Sequence, residues 1–203
     1  MLKFFTFAVD LNKYRINSLN KILNLLINSL ENTNPNFHLT IFTNYNLKIN
    51  SKKIEIRNYY DGQIKYYNNS NNEAVNYKFG IDWRNLSFNK INLWNDLYNE
   101  TNENYIWIDL DTIIVNDISY LTSIPNFFII NGANSIKPNP IFFSDSRDHI
   151  TNSLTIPRKD YIQGNFWKLD INLYKKLINC YFDLRERNLT LRYDLQDLFN
   201  YYV

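Results

Sequence analysis

Apolar positions run almost without interruption at the start of the chain, in "LKFFTFAV" (2–9). A continuous run of this length is the pattern of a strand covered on both faces. The spacing then changes. In "DLNKYRINSLNKILNLLINSLENTNP", Tyr14, Leu19, Ile22, Leu23, Leu26 and Leu30 recur at helical intervals, and Pro35 among asparagines marks the stop. Short runs return at "FHLTIFT" (37–43) and "KKIEIRNY" (52–59), which predict a second and a third strand. From Tyr60 to Asn76 the chain is polar and aperiodic, and this predicts a mobile surface loop.

Helical spacing resumes in "LSFNKINLWNDLYNE" (86–100), where Leu86, Ile91, Leu93, Trp94, Leu97 and Tyr98 form a broad apolar face. "NYIWID" and "FFIING" (127–132) predict two more strands. The proline-bearing stretch "KPNPIFFSDSRDHITNSLTIPRKD" is irregular. "YIQGNFWKL" (161–169) reads as a strand, "DINLYKKLINCYFDLRERN" (170–188) as a helix, and "RYDLQDLFNYYV" as the opening of a last helix. Strands that alternate with helices predict an α/β fold with a mostly parallel central sheet flanked by helices. No repeat or linker divides the 203 residues, so a single domain over 1–203 is expected.

Composition removes several classes of function. The 22 basic and 20 acidic residues are scattered and leave a formal charge of +2, with no basic block of the kind that tracks a phosphate backbone. Nucleic acid is therefore not expected as a partner. One cysteine, Cys180, excludes an internal disulfide and a cysteine-rich zinc site. "MLKFFTFAVD" reads as a first strand and not as a signal peptide, and no run reaches the roughly 20 apolar residues of a membrane helix. The expectation is a cytoplasmic protein with no membrane span. Asparagine occurs 35 times and glycine only four, so the four N-x-S/T sequons at Asn68, Asn85, Asn99 and Asn188 carry no weight.

The chemistry concentrates in "YIWIDLDTIIVND" (105–117). Asp109 and Asp111 follow an apolar run directly, and a carboxylate at the mouth of a buried strand is costly unless something pairs with it. Residues i and i+2 of a strand share a face, so both side chains can converge as the chain leaves the sheet while Leu110 turns into the core. Ligands of open α/β sheets collect beyond the carboxyl ends of the strands. Magnesium and manganese prefer carboxylate and phosphate oxygens, and one or two carboxylates hold them with water and substrate phosphate. Asp109 and Asp111 are thus candidate metal ligands for a metal–diphosphate complex. The competing account makes Asp109, Asp111 or Asp117 a cap of a turn or helix.

Five segments, in order, resemble the family 8-like nucleotide-sugar glycosyltransferases of the GT-A fold, a Rossmann-like architecture, and the resemblance extends over nearly the whole chain. "FAVDLNKY" is similar to the family's first strand and loop, which implies that Ala8, Asp10 and Asn12, with Thr6 nearby, hold uracil and ribose. "SLENTNPNFHLTIFTN" resembles the following helix end and second strand. "LSFNKINLWNDLYNETNENYIWIDLDTIIVNDISYL" resembles the helix, the D-x-D strand and the turn, with Lys90 where the family places a basic residue near the diphosphate and Arg84 as a helper. "YIQGNFWKLDINLYKKL" resembles the strand that lines the sugar pocket, so Gly164 matches a glycine, and Gln163 and Asn165 would meet sugar hydroxyls, with Asn131 and Asn134 as further amides. "RYDLQDLFN" resembles a D-Q-D segment, which makes Gln196, Asp197 and Asp194 candidates for stabilising an oxocarbenium-like carbon.

The resemblance implies a transferase that uses Mn²⁺ or Mg²⁺ and a UDP-sugar donor to modify a hydroxyl of a glycan or protein acceptor, with retention of configuration. The family's further metal ligand is a C-terminal histidine that has no counterpart before Val203. Water in the metal shell, or a chain that is the N-terminal domain of a longer protein, is the expectation. His38 lies in a strand and His149 in the irregular stretch. Two alternatives stay open. "WIDLDTIIV" also approaches the D-x-D-x-T pattern of haloacid dehalogenase-type phosphatases, with Asp109 as nucleophile and Asp145 and Asp148 as the second acidic pair. The four tryptophans Trp83, Trp94, Trp107 and Trp167 are compatible with a non-catalytic sugar-binding module, although Trp94 and Trp107 fall on core faces.

Overall fold

Strand β1 (Leu2–Ala8) needs its apolar run because both of its faces are covered and both of its edges are paired. The computed structural model describes residues 1–11, 16–65, 80–130, 162–187 and 194–202. One face of β1 carries Leu2, Phe4 and Ala8 into a core with Leu23, Leu26, Ile27 and Leu30 of helix α1 (Ile16–Thr33). Leu39 and Ile41 of β2 (Phe37–Thr43), with Ile106 and Ile108 of β4 (Ile106–Ile108), complete that core. The other face carries Phe5 and Phe7, whose rings meet Trp107 edge-on at 5.0 and 4.7 Å between centroids. Such pairs add to area burial by about 0.5–1.5 kcal/mol each.

Among the described residues the sheet has six strands in the order β3-β2-β1-β4-β6-β5, where β3 is Ile54–Asn58, β5 is Phe127–Ile130 and β6 is Ile162–Lys168. The pairs β1–β2, β2–β3 and β1–β4 are parallel. Strand β6 runs antiparallel to β4, with Trp107 opposite Trp167 and Ile108 opposite Phe166. The architecture is therefore α/β, mostly parallel and compatible with a Rossmann-like fold. The chain builds outward from β1 to β3, then returns to the other side of β1 as β4. The point where strand order reverses thus lies between β1 and β4.

Helix α2 (Gly80–Thr101) starts six residues before the expected position 86, through a stretch without apolar periodicity. It ends at Asn102, which has a positive φ of 56° and whose N–H reaches the Tyr98 carbonyl at 2.6 Å. Asparagine tolerates this left-handed C-cap better than most residues. The Trp94 indole N–H donates to the Tyr105 carbonyl at 3.2 Å and so fixes the C-terminal half of α2 against the entry to β4.

Contacts divide the chain into two compact units. The first is Met1–Asp61, Trp94–Phe127 and Asn165–Asp170, and the second is Gly62–Leu93, Phe128–Gly164 and Ile171–Val203. In the second unit, α3 (Ile171–Glu186) buries Tyr174, Leu177, Ile178, Tyr181 and Leu184, while α4 (Asp194–Tyr202) buries Leu195, Leu198 and Phe199. The described start of the expected surface loop is held down. Asn89 Oδ1 accepts the Gly62 N–H at 2.8 Å, Asn92 pairs with both main-chain groups of Ile64, and Tyr181 donates to the Lys65 carbonyl at 2.6 Å. A Cβ on Gly62 would stand 2.3 Å from Asn92 Cγ, so only glycine fits there. Among the described residues no helix is long and apolar enough to cross a membrane.

On the face of the sheet that bears Phe5, Glu55 accepts from Arg57 Nε at 2.8 Å, and Arg57 Nη1 donates to Glu100 at 2.6 Å. His38 Nε2 lies 3.4 Å from Glu55, near the amino end of β2, which gives it a structural setting. Burial alone pushes the Glu55 carboxyl up, but Arg57 and then His38 outweigh that and hold it below the ordinary glutamate value. A depressed carboxylate contributes stability that is present above its unfolded pKa and lost as pH falls through its folded pKa. Urea midpoints measured from about pH 5 down to pH 3 should therefore fall less steeply in Glu55→Gln than in the parent. The difference should be modest because the pair is partly exposed.

Candidate functional site

At the carboxyl end of β1, Asp10 is 9% exposed, and Asn44 brackets its main chain. The Asp10 N–H donates to Asn44 Oδ1 at 2.8 Å, and Asn44 Nδ2 donates to the Asp10 carbonyl at 2.9 Å. Asn44 follows β2, so its amide continues the β1–β2 ladder after the strands have ended. Tyr45 comes next, and its hydroxyl donates to Asn20 on α1 at 3.0 Å. Burial and then the Asp10 charge push the Tyr45 pKa up. Thr6 and Ala8 are fully buried, main chain included. The Thr6 hydroxyl has no hydrogen-bond partner among the described residues.

At the carboxyl end of β4 the strand gives way to a tight turn. The Thr112 N–H donates to the Asp109 carbonyl at 3.0 Å, which closes a four-residue turn with Leu110 and Asp111 at its centre. The expected strand through 109 is thus shorter, ending at Ile108. Strand alternation therefore relates Trp107 to Asp109 and goes no further. The Trp107 indole N–H donates to Asp109 Oδ1 at 2.8 Å, while the turn alone sets the direction of Asp111. Leu110 packs against the core, as the alternation predicts. Asp111 is exposed, and its carboxylate makes no hydrogen bond or ion pair among the described residues.

The chain that leaves this turn is pinned to α1. Ser29 Oγ accepts the Ile114 N–H at 3.1 Å, and Asn34 Oδ1 accepts the Ile118 N–H at 2.8 Å. Asp117 starts a turn, as part of the competing account expects: its carboxylate accepts from the N–H and hydroxyl of Ser119, while the cap position of the short helix that follows is Ile118, without a side-chain cap bond.

Asn165 of β6 lies beside the acidic turn. The β4–β6 register, carried one place further, sets it opposite Asp109, and the Asp109 N–H donates to the Asn165 carbonyl at 2.8 Å. Directly opposed residues share a face of the sheet. The Asn165 Oδ1 is buried and has no partner among the described residues. A buried acceptor without a donor calls for an explanation, an ion or a water being the usual ones.

The second unit holds another set of the expected residues. Lys90 Nζ donates to the Gly164 carbonyl at 3.3 Å, and the Gly164 N–H donates to Gln196 Oε1 at 3.2 Å. One turn on, Asn200 accepts from the Ile162 N–H at 2.8 Å and donates to its carbonyl at 2.9 Å. Gln196 and Asn200 are four apart on one face of α4, and they clasp the main chain of β6 at alternate residues. A Cβ on Gly164 would meet Gln196 at 3.5 Å, an ordinary contact, so this glycine is not sterically required.

Asp10, Asp109 and Asp111, which follow the ends of β1 and β4, and Asn165, in the middle of β6, thus belong to one unit, and Lys90, Gly164 and Gln196 to the other. Asn12, Asn131, Asn134, Asp145, Asp148 and His149 lie outside the described residues, as do the side chains of Trp83, Arg84, Gln163, Asp194 and Asp197. Asn44 and Trp107 are the two residues at the site that pattern reading did not single out for it. Among the described residues no three of histidine, cysteine, aspartate and glutamate gather as a metal-ligand group. No protein-family model matches the chain, and no curated protein matches it.

Proposed function

We propose that the chain is a metal-dependent glycosyltransferase of the GT-A kind, which moves a sugar from a nucleoside diphosphate sugar, a UDP-sugar, to a hydroxyl of a glycan or protein. One observation carries the reading. Asp10 and the Asp109–Asp111 turn leave the carboxyl ends of adjacent parallel strands, β1 and β4, at the point where the strand order reverses. That position is where open α/β sheets bind their ligands. The resemblance of the same segments to the family 8-like enzymes gives the ligand its chemical class.

The donor set suits a hard cation. It is all oxygen: one part-buried carboxylate oriented by an indole, one exposed carboxylate and one buried amide oxygen without a donor among the described residues. Asp109 and Asp111 would hold Mn²⁺ or Mg²⁺, and the ion would supply Lewis-acid stabilisation of the departing diphosphate. Asp10, held rigid by Asn44, would hold the nucleoside. By the resemblance alone, Lys90 is the candidate basic residue for the diphosphate. Asp194, Gln196 and Asp197 remain the candidates for the sugar side of the reaction.

A thermal-shift screen of nucleotide sugars with and without manganese tests this. A ligand at about 100 times its Kd stabilises by about 2.7 kcal/mol. For a chain of this size that corresponds to a rise in Tm on the order of 5–10 °C. The expected result is a shift with UDP-sugars that requires the metal. No shift with any nucleotide sugar would remove the reading, and phosphate release without an acceptor would favour the phosphatase.

A further inference from the structure

We infer that Trp107 is a positioning residue for the cation site: its indole N–H sets the orientation in which Asp109 presents its carboxylate. The inference rests on the metal reading above and deepens it. A carboxylate on a turn ordinarily samples several rotamers, and each ligand–metal bond requires one of them. Here one oxygen is tied at 2.8 Å to a donor that cannot move. Trp107 is 2% exposed. Its ring is wedged by Phe5 and Phe7 and lies 6.4 Å from the near-parallel ring of Trp167 across the β4–β6 pair. The aromatic face of the sheet therefore acts as a fixed mount, and strand alternation aims the mount at residue 109. Hydrogen-bonded partners of metal ligands typically contribute 10–100-fold to metal affinity.

The plainer account is that a buried indole merely needs an acceptor. Trp94 provides the comparison, because it is as buried and donates its own indole N–H to the Tyr105 carbonyl. Trp107→Phe and Trp94→Phe each remove one buried indole donor and keep an aromatic ring. Mn²⁺ affinity in the presence of UDP, read from the free-ion paramagnetic resonance signal, should weaken by about 10–100-fold in Trp107→Phe and stay at the wild-type value in Trp94→Phe. Melting temperatures should fall in both. Equal Mn²⁺ affinity in wild type and Trp107→Phe overturns the inference alone. A wild type that binds no Mn²⁺ overturns the metal reading and this inference with it.

Should Trp107→Phe not fold, the indole ¹⁵N–¹H resonances of wild type decide. One of them should move on addition of Mg²⁺ and UDP, and it should be the resonance that Asp109→Asn displaces in the absence of metal. If none moves with Mg²⁺ and UDP, the positioning role is rejected.

Discussion

Replacing Asp111 with alanine is expected to abolish the manganese-dependent part of any UDP-sugar shift while leaving the unliganded protein as stable as its parent. The two halves of that result have separate causes. Asp111 is exposed, is bonded to nothing among the described residues, and has no positive φ, so alanine adopts its turn conformation without strain. Substitutions at such positions usually change stability by less than about 0.5 kcal/mol. The ligand side loses a full negative charge from a set with two carboxylates, and water replaces it poorly on a hard cation. Urea unfolding without ligand, set beside thermal shifts with UDP-sugar and Mn²⁺, measures both. A retained metal-dependent shift in Asp111→Ala would place the cation elsewhere.

Asp109 should behave differently, and the contrast locates the site. Asp109→Ala removes the acceptor of a buried indole N–H as well as a proposed metal ligand, so it should cost about 1–3 kcal/mol of stability in addition to any binding. Asp109→Asn keeps an oxygen for the indole and should recover most of that stability without recovering the metal. A pair of carboxylates that only tied off local backbone would not divide in this way.

Long periodic runs in the sequence were easy to read, and relations between strands were not. β1 and β2 match their patterns to within a residue, and α1 falls inside its expected stretch, whose Tyr14 lies outside the described residues, because burial on a helix stripe or a sheet face imposes the period directly. The start of α2 was hidden, since Gly80–Asn85 joins the helix without an apolar repeat. The antiparallel direction of β6 was hidden too: "YIQGNFWKL" reads the same in either orientation, and only its partner decides. At the site, the aspartates were visible because charge beside an apolar run is conspicuous. Trp107 and Asn44 were not. An indole inside "YIWID" looks like core, which it also is, and its polar end shows only when the acceptor two residues away is in place. Asn44 is one asparagine among 35, distinguished only by its position beyond a strand end.

Lys168→Met is expected to cost about 2–4 kcal/mol of folding stability. Lys168 ends β6 on the face opposite Trp167 and is only 6% exposed. Its ammonium donates to the carbonyls of Leu121, Thr122 and Ile124 at 3.0, 3.3 and 2.7 Å. Those carbonyls lie at the end of the short 3-10 helix Ser119–Thr122 and in the bend after it; the Leu121 carbonyl also accepts the Ile124 N–H at 3.4 Å, so the lysine adds a donor there and supplies one to Thr122 and Ile124. Burial lowers the pKa of Lys168, and the three acceptors are what favour the charged form. Methionine keeps the stem and removes the donor, which leaves the Thr122 and Ile124 carbonyls to whatever water reaches them through the adjoining cavity of about 220 Å³, while Leu121 keeps the Ile124 N–H. That relief is why the cost stays below the sum of three lost bonds. The urea midpoint should fall with an unchanged m-value. The Asp109–Asp111 turn should retain its metal response, because it sits at the opposite end of β4 from the Lys168 partner Ile106. A neutral Lys168→Met would mean that the lysine's bonds to these carbonyls add little to the backbone bonds, the core packing and the Ser29 and Asn34 contacts that already hold the segment.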